Sequence, residues 1–390
     1  MVSQIRLKVV PAKSAPFWLT SHKILPKIAF SVAIWLLTFV TLKHRPDSMI
    51  AITEKTLQDL EFNTVLQTIS DRCNTEIGKQ KALDIVPFKD KASLMNELLQ
   101  TSEYLSSFTN NNAIPNHGFE NLTQDLKFLA IEDSFLEVSS FRKIATLSDT
   151  VNVMLLFLKK FHDYYPKLNE KAAQIEYTKY ITQKIDEVVD KYGEIKDNAS
   201  PDLINIRRDM NVVRGKVNQS FGQALSQYNS LGYLDEIKES IVENRRVLAV
   251  LAMYRRKVKG SILGSSKTGS IAYIEPEATL RYSRELNNLE YEEREEITRI
   301  LKKLSNEIRP YVDLLKQYQD FLSDIDVVAA KAKYARKINA LLPNITEEKR
   351  LFFREAYHPI LFLNNLEKKE KTFPQTIELK NDSRIIVISG

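Results

Sequence analysis

Cysteine is almost missing from this chain, which has 390 residues and a single cysteine, Cys73. One thiol excludes an internal disulfide and any metal site built from several cysteines, and it fits a reducing compartment such as the cytoplasm. Cys73 follows the apolar residues Val65, Leu66 and Ile69 at helical spacing. We therefore expect a buried structural thiol and not a nucleophile.

Glycine and proline are also scarce, with 10 and 13 residues. Together with the abundance of Leu, Ile, Lys and Glu, this scarcity favours a mostly helical chain. The hydrophobic content of 43% is enough for a sizeable core and excludes a disordered protein. The length allows two or three domains.

Long apolar runs are rare as well. Residues 28–42 form an uncharged run of 15 residues, shorter than the roughly 20 that a membrane-spanning helix needs. Basic residues flank the run on both sides, so charge gives no orientation, and no small-residue cleavage site marks a signal peptide. We expect that the natural chain begins at Met49 and that residues 1–48 are an upstream read-through. A membrane anchor is the alternative.

Acidic residues are missing from one internal stretch. Residues 245–274 contain no Asp or Glu, although the rest of the chain after residue 48 is mildly acidic. A basic patch on an acidic body is typical of a surface that binds nucleic acid or an anionic membrane. The alternative is a solvated surface whose cations pair with glutamates elsewhere. The stretch holds seven cations: Arg245, Arg246, Arg255, Arg256, Lys257, Lys259 and Lys267.

Hydrophobic periodicity predicts helices through most of the chain. Residues 53–56 open the first helix, Thr75 and Ser200 are placed to cap later ones, and Pro201 suits the first turn of the helix that Ser200 caps. After Pro276 a very long helix is predicted, with a near-heptad apolar seam and a kink or split at Pro310. The helices are expected at about 54–69, 75–86, 91–108, 120–131, 137–162, 168–192, 201–228 and 277–340.

Within the basic stretch the apolar period changes from 3.6 to 2, which predicts a small antiparallel sheet. The polar segment before it looks helical. Tyr254 and Tyr273 could stack on bases, but pairing with other aromatic rings in the core is the simpler expectation. Further strands are predicted near 350–356, at 375–379 and at 384–389. The last is continuously apolar, as in a parallel α/β sheet, so we expect that the chain ends inside a domain.

Catalytic constellations are not visible in the sequence. The five histidines are scattered, and no spacing typical of a metal site or a nucleophile is present. Asp324 and Asp326 are expected to be exposed or capping carboxylates, and the glutamates at 292–296 a solvated helix face. A glycine after a buried strand, as at Gly390, is how phosphate-binding loops begin, but alone it is a weak signal.

Several motifs together resemble a known family. The strongest are residues 246–260, 266–276 and 285–297, supported by shorter matches at 54–82, 198–203, 324–335, 354–359 and 373–379. Over about residues 50–390 the chain resembles the bacterial MutS-like ATPases. The similarity is to their second branch, often named an endonuclease, and not to the mismatch-repair MutS. Leu263 and Gly264 stand where the family usually has a His-Asp pair, which puts that pair's role in doubt.

The resemblance implies a mainly α fold, in which a helical core sends out long antiparallel lever helices carrying a small antiparallel β clamp. The first strands of a truncated α/β ATPase domain of the ABC type would follow. The implied domains are an extension outside the family at 1–48, a helical core at 49–196, a lever helix at 197–232, a basic β clamp at 233–276, a returning lever helix at 277–343 and the start of the ATPase domain at 344–390.

The resemblance also implies partners and cofactors. Family members dimerise and embrace double-stranded or branched DNA, with an association with stalled ribosomes also proposed, and the seven cations would contact phosphates. ATP and Mg serve the full-length family. Gly390 would be the first glycine of the phosphate loop, and His358, Pro359 and Phe373 would approach the adenine. With that loop incomplete, neither ATP nor Mg is expected to bind well, and whether the chain is an enzyme stays open.

Two other interpretations are open. The chain could be a membrane-tethered, helical coiled-coil structural protein that uses residues 28–42 as its anchor. It could also be the product of an interrupted reading frame with no independent function.

Phe135-Leu-Glu137 and Phe353-Arg-Glu355 resemble the mismatch-reading motif of the mismatch-repair MutS. We expect this resemblance to be chance, because both segments lie in the wrong context.

Overall fold

The structure is a computed structural model that describes residues 6–10, 52–348, 350–382 and 385–389. Helices make up more than half of the described residues and the sheets are small and antiparallel, which confirms the mainly α class. The helices are α1 (Glu54–Asp59), α2 (Phe62–Ser70), α3 (Glu76–Leu83), α4 (Lys91–Ser106), α5 (Thr123–Leu129), α6 (Val138–Lys160), α7 (Pro166–Ala172), α8 (Tyr180–Val188), α9 (Pro201–Ser230), α10 (Glu277–Ile308), α11 (Val312–Lys337) and α12 (Pro359–Lys368). The strands are β1 (Arg6–Val10), β2 (Leu234–Val242), β3 (Arg245–Leu251), β4 (Gly260–Ser265), β5 (Ile271–Pro276), β6 (Leu351–Ala356), β7 (Gln375–Leu379) and β8 (Ile385–Ser389).

The helix starts follow local chemistry, as the sequence predicts. The hydroxyls of Thr53, Thr75 and Ser200 each accept a backbone N–H bond from the first turn of α1, α3 and α9. Such a cap satisfies one of the donors that a helix start leaves unpaired. Pro201 occupies the first turn of α9, where its missing N–H costs nothing.

Two helix predictions meet different outcomes. The split at Pro310 is confirmed, since a short 3₁₀ turn at Arg309–Tyr311 separates α10 from α11. The continuous helix at 168–192 is wrong, because the chain leaves helical geometry between α7 and α8. Two side chains donate hydrogen bonds to backbone carbonyl oxygens between the two helices. Tyr318 Oη donates to Glu176 O at 2.7 Å, and Asn152 Nδ2 donates to Thr178 O at 2.8 Å.

The chain divides into two compact units. The first comprises Met1–Asn121, Thr146–Thr178 and Leu314–Gly390, and the second Leu122–Ala145 and Lys179–Asp313. The first unit has a core cluster in which α2 and α3 pack on α11. Its buried members are Val65, Ile69, Cys73, Ala82, Val327, Ala330 and Tyr334. Cys73 is buried, as expected from its apolar spacing.

The second unit is organised around two long helices that run antiparallel. α9 and α10 pack along each other, and polar contacts fix their register. Ser200 Oγ donates to Glu296, Arg207 pairs with Glu293 at 2.7 Å, and the Ser220 and Thr279 hydroxyls lie 3.4 Å apart. Glu293 and Glu296 therefore hold the two helices together, which corrects the expectation of a fully solvated glutamate face.

The second unit also carries a four-stranded antiparallel sheet in the order β2-β3-β5-β4. The expected strands within 245–274 are confirmed, but the segment before them is not helical. It forms β2, joined to β3 by a tight turn in which Glu243 and Asn244 have φ values of +48° and +59°. Positive φ at both central residues is typical of a hairpin turn that matches strand twist. Pairing with β3 overrides a local apolar spacing that resembles a helix.

Two antiparallel strand pairs involve strands near the end of the chain. β6 and β7 pair antiparallel, and β8 pairs antiparallel with β1 from Arg6↔Ser389 to Val10↔Ile385. The strand expected at 384–389 is therefore present, but its partner is antiparallel instead of parallel. Residues 28–42 and Gly390 lie outside the described residues. Within the described part of the chain, no helix has both the length and the apolar character that a membrane crossing requires.

Candidate nucleic-acid interface

One face of the four-stranded sheet is covered by α9 and by a loop that crosses the sheet. The shared core excludes water from both strands of the central pair, and it fixes the loop to the sheet. The buried members are Phe221, Leu248, Val250, Val258, Ala272 and Ile274. This packing makes the sheet a rigid platform at one end of α9 and α10.

The crossing loop, residues 252–259, is called the basic loop below. It begins with a 3₁₀ turn at Ala252–Tyr254 and returns to β4. Val258 is buried in the core cluster, whereas Arg255, Arg256, Lys257 and Lys259 are exposed on either side of it. One apolar anchor thus holds four cations at the surface.

A fifth cation lies on the hairpin that joins β4 to β5. Lys267 is exposed in a turn whose hydroxyls bond one another, with Thr268 Oγ1 and Ser270 Oγ 2.7 Å apart. Gly269 has a φ of +70° in this turn, a conformation that favours glycine. No carboxylate of the described residues lies within ion-pair distance of the five exposed cations at 255, 256, 257, 259 and 267.

The other two cations of the stretch have structural partners. Arg245 donates to Glu275, whose side chain is 1% exposed, at 3.2 Å. Arg246 pairs with Glu239 at 2.7 Å and lies over the ring of Phe221, with its guanidinium carbon 4.3 Å from the ring centroid. Both arginines are half-buried. The stretch therefore divides into five cations that face solvent and two that hold the sheet together.

Acidic residues are concentrated on one edge strand of the sheet. The outer strand β2 and its turn carry Asp235, Glu236, Glu239 and Glu243, with Lys238 as their one basic neighbour within 234–243. β4, which follows the basic loop, forms the opposite edge. The acidic side chains of β2 repel a polyanion, whereas the exposed cations of the basic loop and of the β4–β5 hairpin attract one.

Three tyrosines stack beside the basic loop. Tyr233 lies between Tyr228 and Tyr254, with ring centroids 6.4 Å and 4.6 Å away and planes tilted by 26° and 23°. Lys257 Nζ is 5.6 Å from the ring centroid of Tyr233 and 5.5 Å from that of Tyr254. Tyr254 therefore pairs with another aromatic ring, as the simpler expectation had it.

The position of the missing His-Asp pair is a bulge in β4. The register with β5 shifts between Ile262 and Gly264, so Leu263 is the extra residue. A bulge twists and bends an edge strand locally. Gly260 begins the same strand against the partner backbone, where a Cβ would lie 2.1 Å from the Glu275 carbonyl oxygen.

The residues implied for adenine lie in the first unit, beside β6 and β7. His358 caps α12 by accepting from Leu361 N–H through Nδ1 at 3.3 Å, and Pro359 is buried in the first turn. The ring of Phe373 is 66% exposed with Lys371 Nζ 5.2 Å from its centroid. An exposed ring suits stacking, but the group that would hold phosphate, at Gly390, is outside the described residues.

Sequence reasoning missed a buried carboxylate in the first unit. Asp326 is fully buried and accepts from Asn74 N–H at 2.9 Å, Thr75 N–H at 2.8 Å and Thr75 Oγ1 at 2.7 Å; His117 Nε2 lies 3.2 Å away. Burial alone would raise the pKa of Asp326, but these hydrogen bonds outweigh it and lower the pKa. The expectation that it is exposed is wrong; Asp326 instead accepts hydrogen bonds from the two residues that precede α3.

Asp324 is also more embedded than expected. Lys171 and Lys81 approach its carboxylate at 2.6 Å and 2.7 Å. Burial acts to raise the pKa of Asp324, but the two lysines lower it overall. Asp324 and Asp326 thus tie α11 to α3 and α7 within the first unit. Their role is structural.

Comparison with known proteins gives one consistent match. No protein-family model matches the chain. Curated proteins named Endonuclease MutS2 are similar to it: 27% identity over 341 residues for Alkaliphilus oremlandii, 28% over 348 for Leuconostoc mesenteroides and 28% over 346 for Carboxydothermus hydrogenoformans. Each alignment covers 87% of this chain and 42% of the relative. The chain therefore spans about two fifths of the length of the curated relatives it matches.

Proposed function

Because this chain is related to the MutS2 branch of MutS-like proteins, we propose that it is the DNA-binding core, lever and clamp portion of a MutS-type protein acting on branched or recombination DNA. In this proposal α9 and α10 are the lever helices. The four-stranded sheet is the clamp, and its basic loop contacts the DNA backbone.

The observation that carries the proposal is the set of five exposed cations without a carboxylate partner among the described residues. Cations already paired with carboxylates would have to break those pairs before binding phosphate. These five are free to bind phosphate directly, and Val258 fixes the loop that holds four of them. The acidic residues of β2 repel the DNA backbone, which favours contact through the basic loop.

Phosphate contacts of this kind give affinity without sequence reading. Five contacts to B-DNA predict that the logarithm of the binding constant falls with the logarithm of salt concentration with a slope of about −4.5.

A triple alanine substitution at Arg255, Arg256 and Lys257 tests the proposal. We expect the dissociation constant to increase by about the same factor on duplexes of different sequence. Fluorescence anisotropy at low salt measures it. A matched control is the triple alanine variant at Arg284, Arg294 and Lys303, which are exposed cations of α10. The control changes the net charge equally but leaves the basic loop intact.

The two variants separate local contacts from overall charge. A large loss for the basic-loop variant with little change for the control supports the proposal. Equal losses in both would show that net charge alone attracts DNA. Unchanged affinity in the basic-loop variant would show that the sheet is not the DNA-binding surface.

A further inference from the structure

We infer that the stacked tyrosines make the basic loop a site for one unpaired nucleotide, with the base stacking on Tyr254 and its phosphates on the adjoining arginines. The inference rests on the proposed DNA-binding function. It goes beyond it because phosphate contacts alone cannot distinguish an unpaired base from an intact duplex.

The first observation is the preorganised aromatic stack. Tyr254 is the terminal member of the Tyr228–Tyr233–Tyr254 series, and its ring is half-buried. Tyr228 also bonds the loop, since its Oη accepts from Lys259 N–H at 3.2 Å. A ring held from behind by another ring loses little freedom when a base stacks on it. Base stacking on aromatic side chains works with any base.

The second observation is the position of Tyr254 between an exposed apolar residue and exposed cations. Met253 is 76% exposed on one side, and Arg255 and Arg256 are exposed on the other. Arg255 and Arg256 directly follow Tyr254 in the chain. The phosphates of a nucleotide whose base contacts Tyr254 would therefore lie near both guanidinium groups. Stacking and phosphate binding therefore fall on one short segment.

The third observation concerns Lys257, which lies within cation–π distance of both Tyr233 and Tyr254. The two distances are nearly equal, so this ammonium group lies beside the stack, at the edge that the two rings share, and not over the outer face of Tyr254. A phosphate offers it a stronger partner than a ring does. Lys257 is therefore placed to contact a phosphate while a base stacks on the outer face of Tyr254.

Intact duplex cannot use this stack, because its bases are already stacked on one another. A gap or a branch point offers bases that are free to leave the helix. One stacked base contributes roughly a tenfold preference in affinity. The basic loop would thereby favour DNA with unpaired nucleotides over perfect duplex.

Anisotropy titrations with an intact DNA duplex and with the same duplex carrying a short single-stranded gap test the inference. The chain should bind the gapped duplex roughly tenfold more tightly. Tyr254→Leu should bring the affinity for the gapped duplex down to that for the intact duplex, and Tyr254→Phe should retain the preference. Tyr273→Leu, on the opposite face of the sheet from the aromatic stack, is the matched control and should also retain it.

Lys257→Met provides a second variant that does not touch the buried core. It should weaken binding to both DNAs by a similar factor, because it removes a phosphate contact and leaves the outer face of Tyr254 as it was, so the preference for the gapped duplex should remain. Steep salt-dependent binding with no preference for the gap, or a preference that survives Tyr254→Leu, would overturn the inference and leave the proposed function standing. Failure to bind either DNA would overturn both.

Discussion

Arg245 donates to the carboxylate of Glu275 at 3.2 Å, and the Glu275 side chain is only 1% exposed to solvent. The pair joins the start of β3 to the end of β5. Buried carboxylates need a partner because their desolvation is costly. Arg245 therefore has a structural role in the sheet and is not assigned to the binding surface.

Arg245→Ala should destabilise the protein by about 1–3 kcal/mol, because it leaves a buried carboxylate without its cation. Arg256→Ala should change stability by less than about 0.5 kcal/mol, because the side chain is exposed. Urea unfolding of both variants measures this. Equal stability of the two variants would contradict the division between structural and exposed cations.

Asp326 should make stability dependent on acid. Its pKa is lowered in the folded protein, so its carboxylate contributes stability that is present above the unfolded value of about 4. That contribution is lost as the pH falls through the lower, folded-state pKa. Asp326→Asn should cost about 3 kcal/mol and flatten the decline in the free energy of unfolding below about pH 4.

Asp320→Asn is the matched control for this acid dependence. Asp320 lies on the same helix and its side chain is 70% exposed. Its replacement should change the unfolding free energy by less than about 0.5 kcal/mol. If the free energy of unfolding declines in the same way below about pH 4 in the wild type and in the Asp326→Asn variant, the assigned role of Asp326 is contradicted.

Two helical glycines should respond to alanine in opposite directions. A Cβ at Gly78 would lie 2.4 Å from Asp326 Oδ2 and 2.8 Å from Thr75 Oγ1, whereas a Cβ at Gly215 would meet nothing within 4 Å. Gly78→Ala should therefore cost about 1–3 kcal/mol, and Gly215→Ala should stabilise α9 by about 0.5–1 kcal/mol. Unfolding midpoints check both, and stabilisation by Gly78→Ala would contradict the packing around Asp326.

The single thiol should be unreactive in the folded protein. Burial, with a further effect from the charge of Asp326, raises the pKa of Cys73 to about 12. Because the thiolate is the reactive form, a disulfide reagent near neutral pH should label Cys73 only after unfolding in denaturant. Rapid labelling of the native protein would contradict the burial of this side chain.

The features predictable from the sequence are those that short segments determine. The caps at Thr75 and Ser200 and the split at Pro310 follow from the chemistry of a few neighbouring residues. The fold class follows from composition and period. The resemblance to the MutS-like second branch rests on long matching segments, and the curated relatives support it.

The features that sequence reasoning missed depend on distant residues. Asp326 contacts Thr75, which is 251 positions away in the chain, and no local pattern marks that pair. β2 has helix-like apolar spacing, and only pairing with β3 makes it a strand. The seven cations look equivalent in the sequence, although Glu239 and Glu275 engage two of them. The domain boundaries and the assignment of DNA-binding residues stay predictions.

The most direct test of the central claim is the salt dependence of DNA binding before and after loss of the basic loop's cations. The account predicts a steep slope for the wild type, and removal of Arg255, Arg256 and Lys257 should reduce its magnitude by about 2–3. The control variant at Arg284, Arg294 and Lys303 should keep the wild-type slope. A slope that is unchanged by loss of the three basic-loop cations would contradict the claim that they bind phosphate.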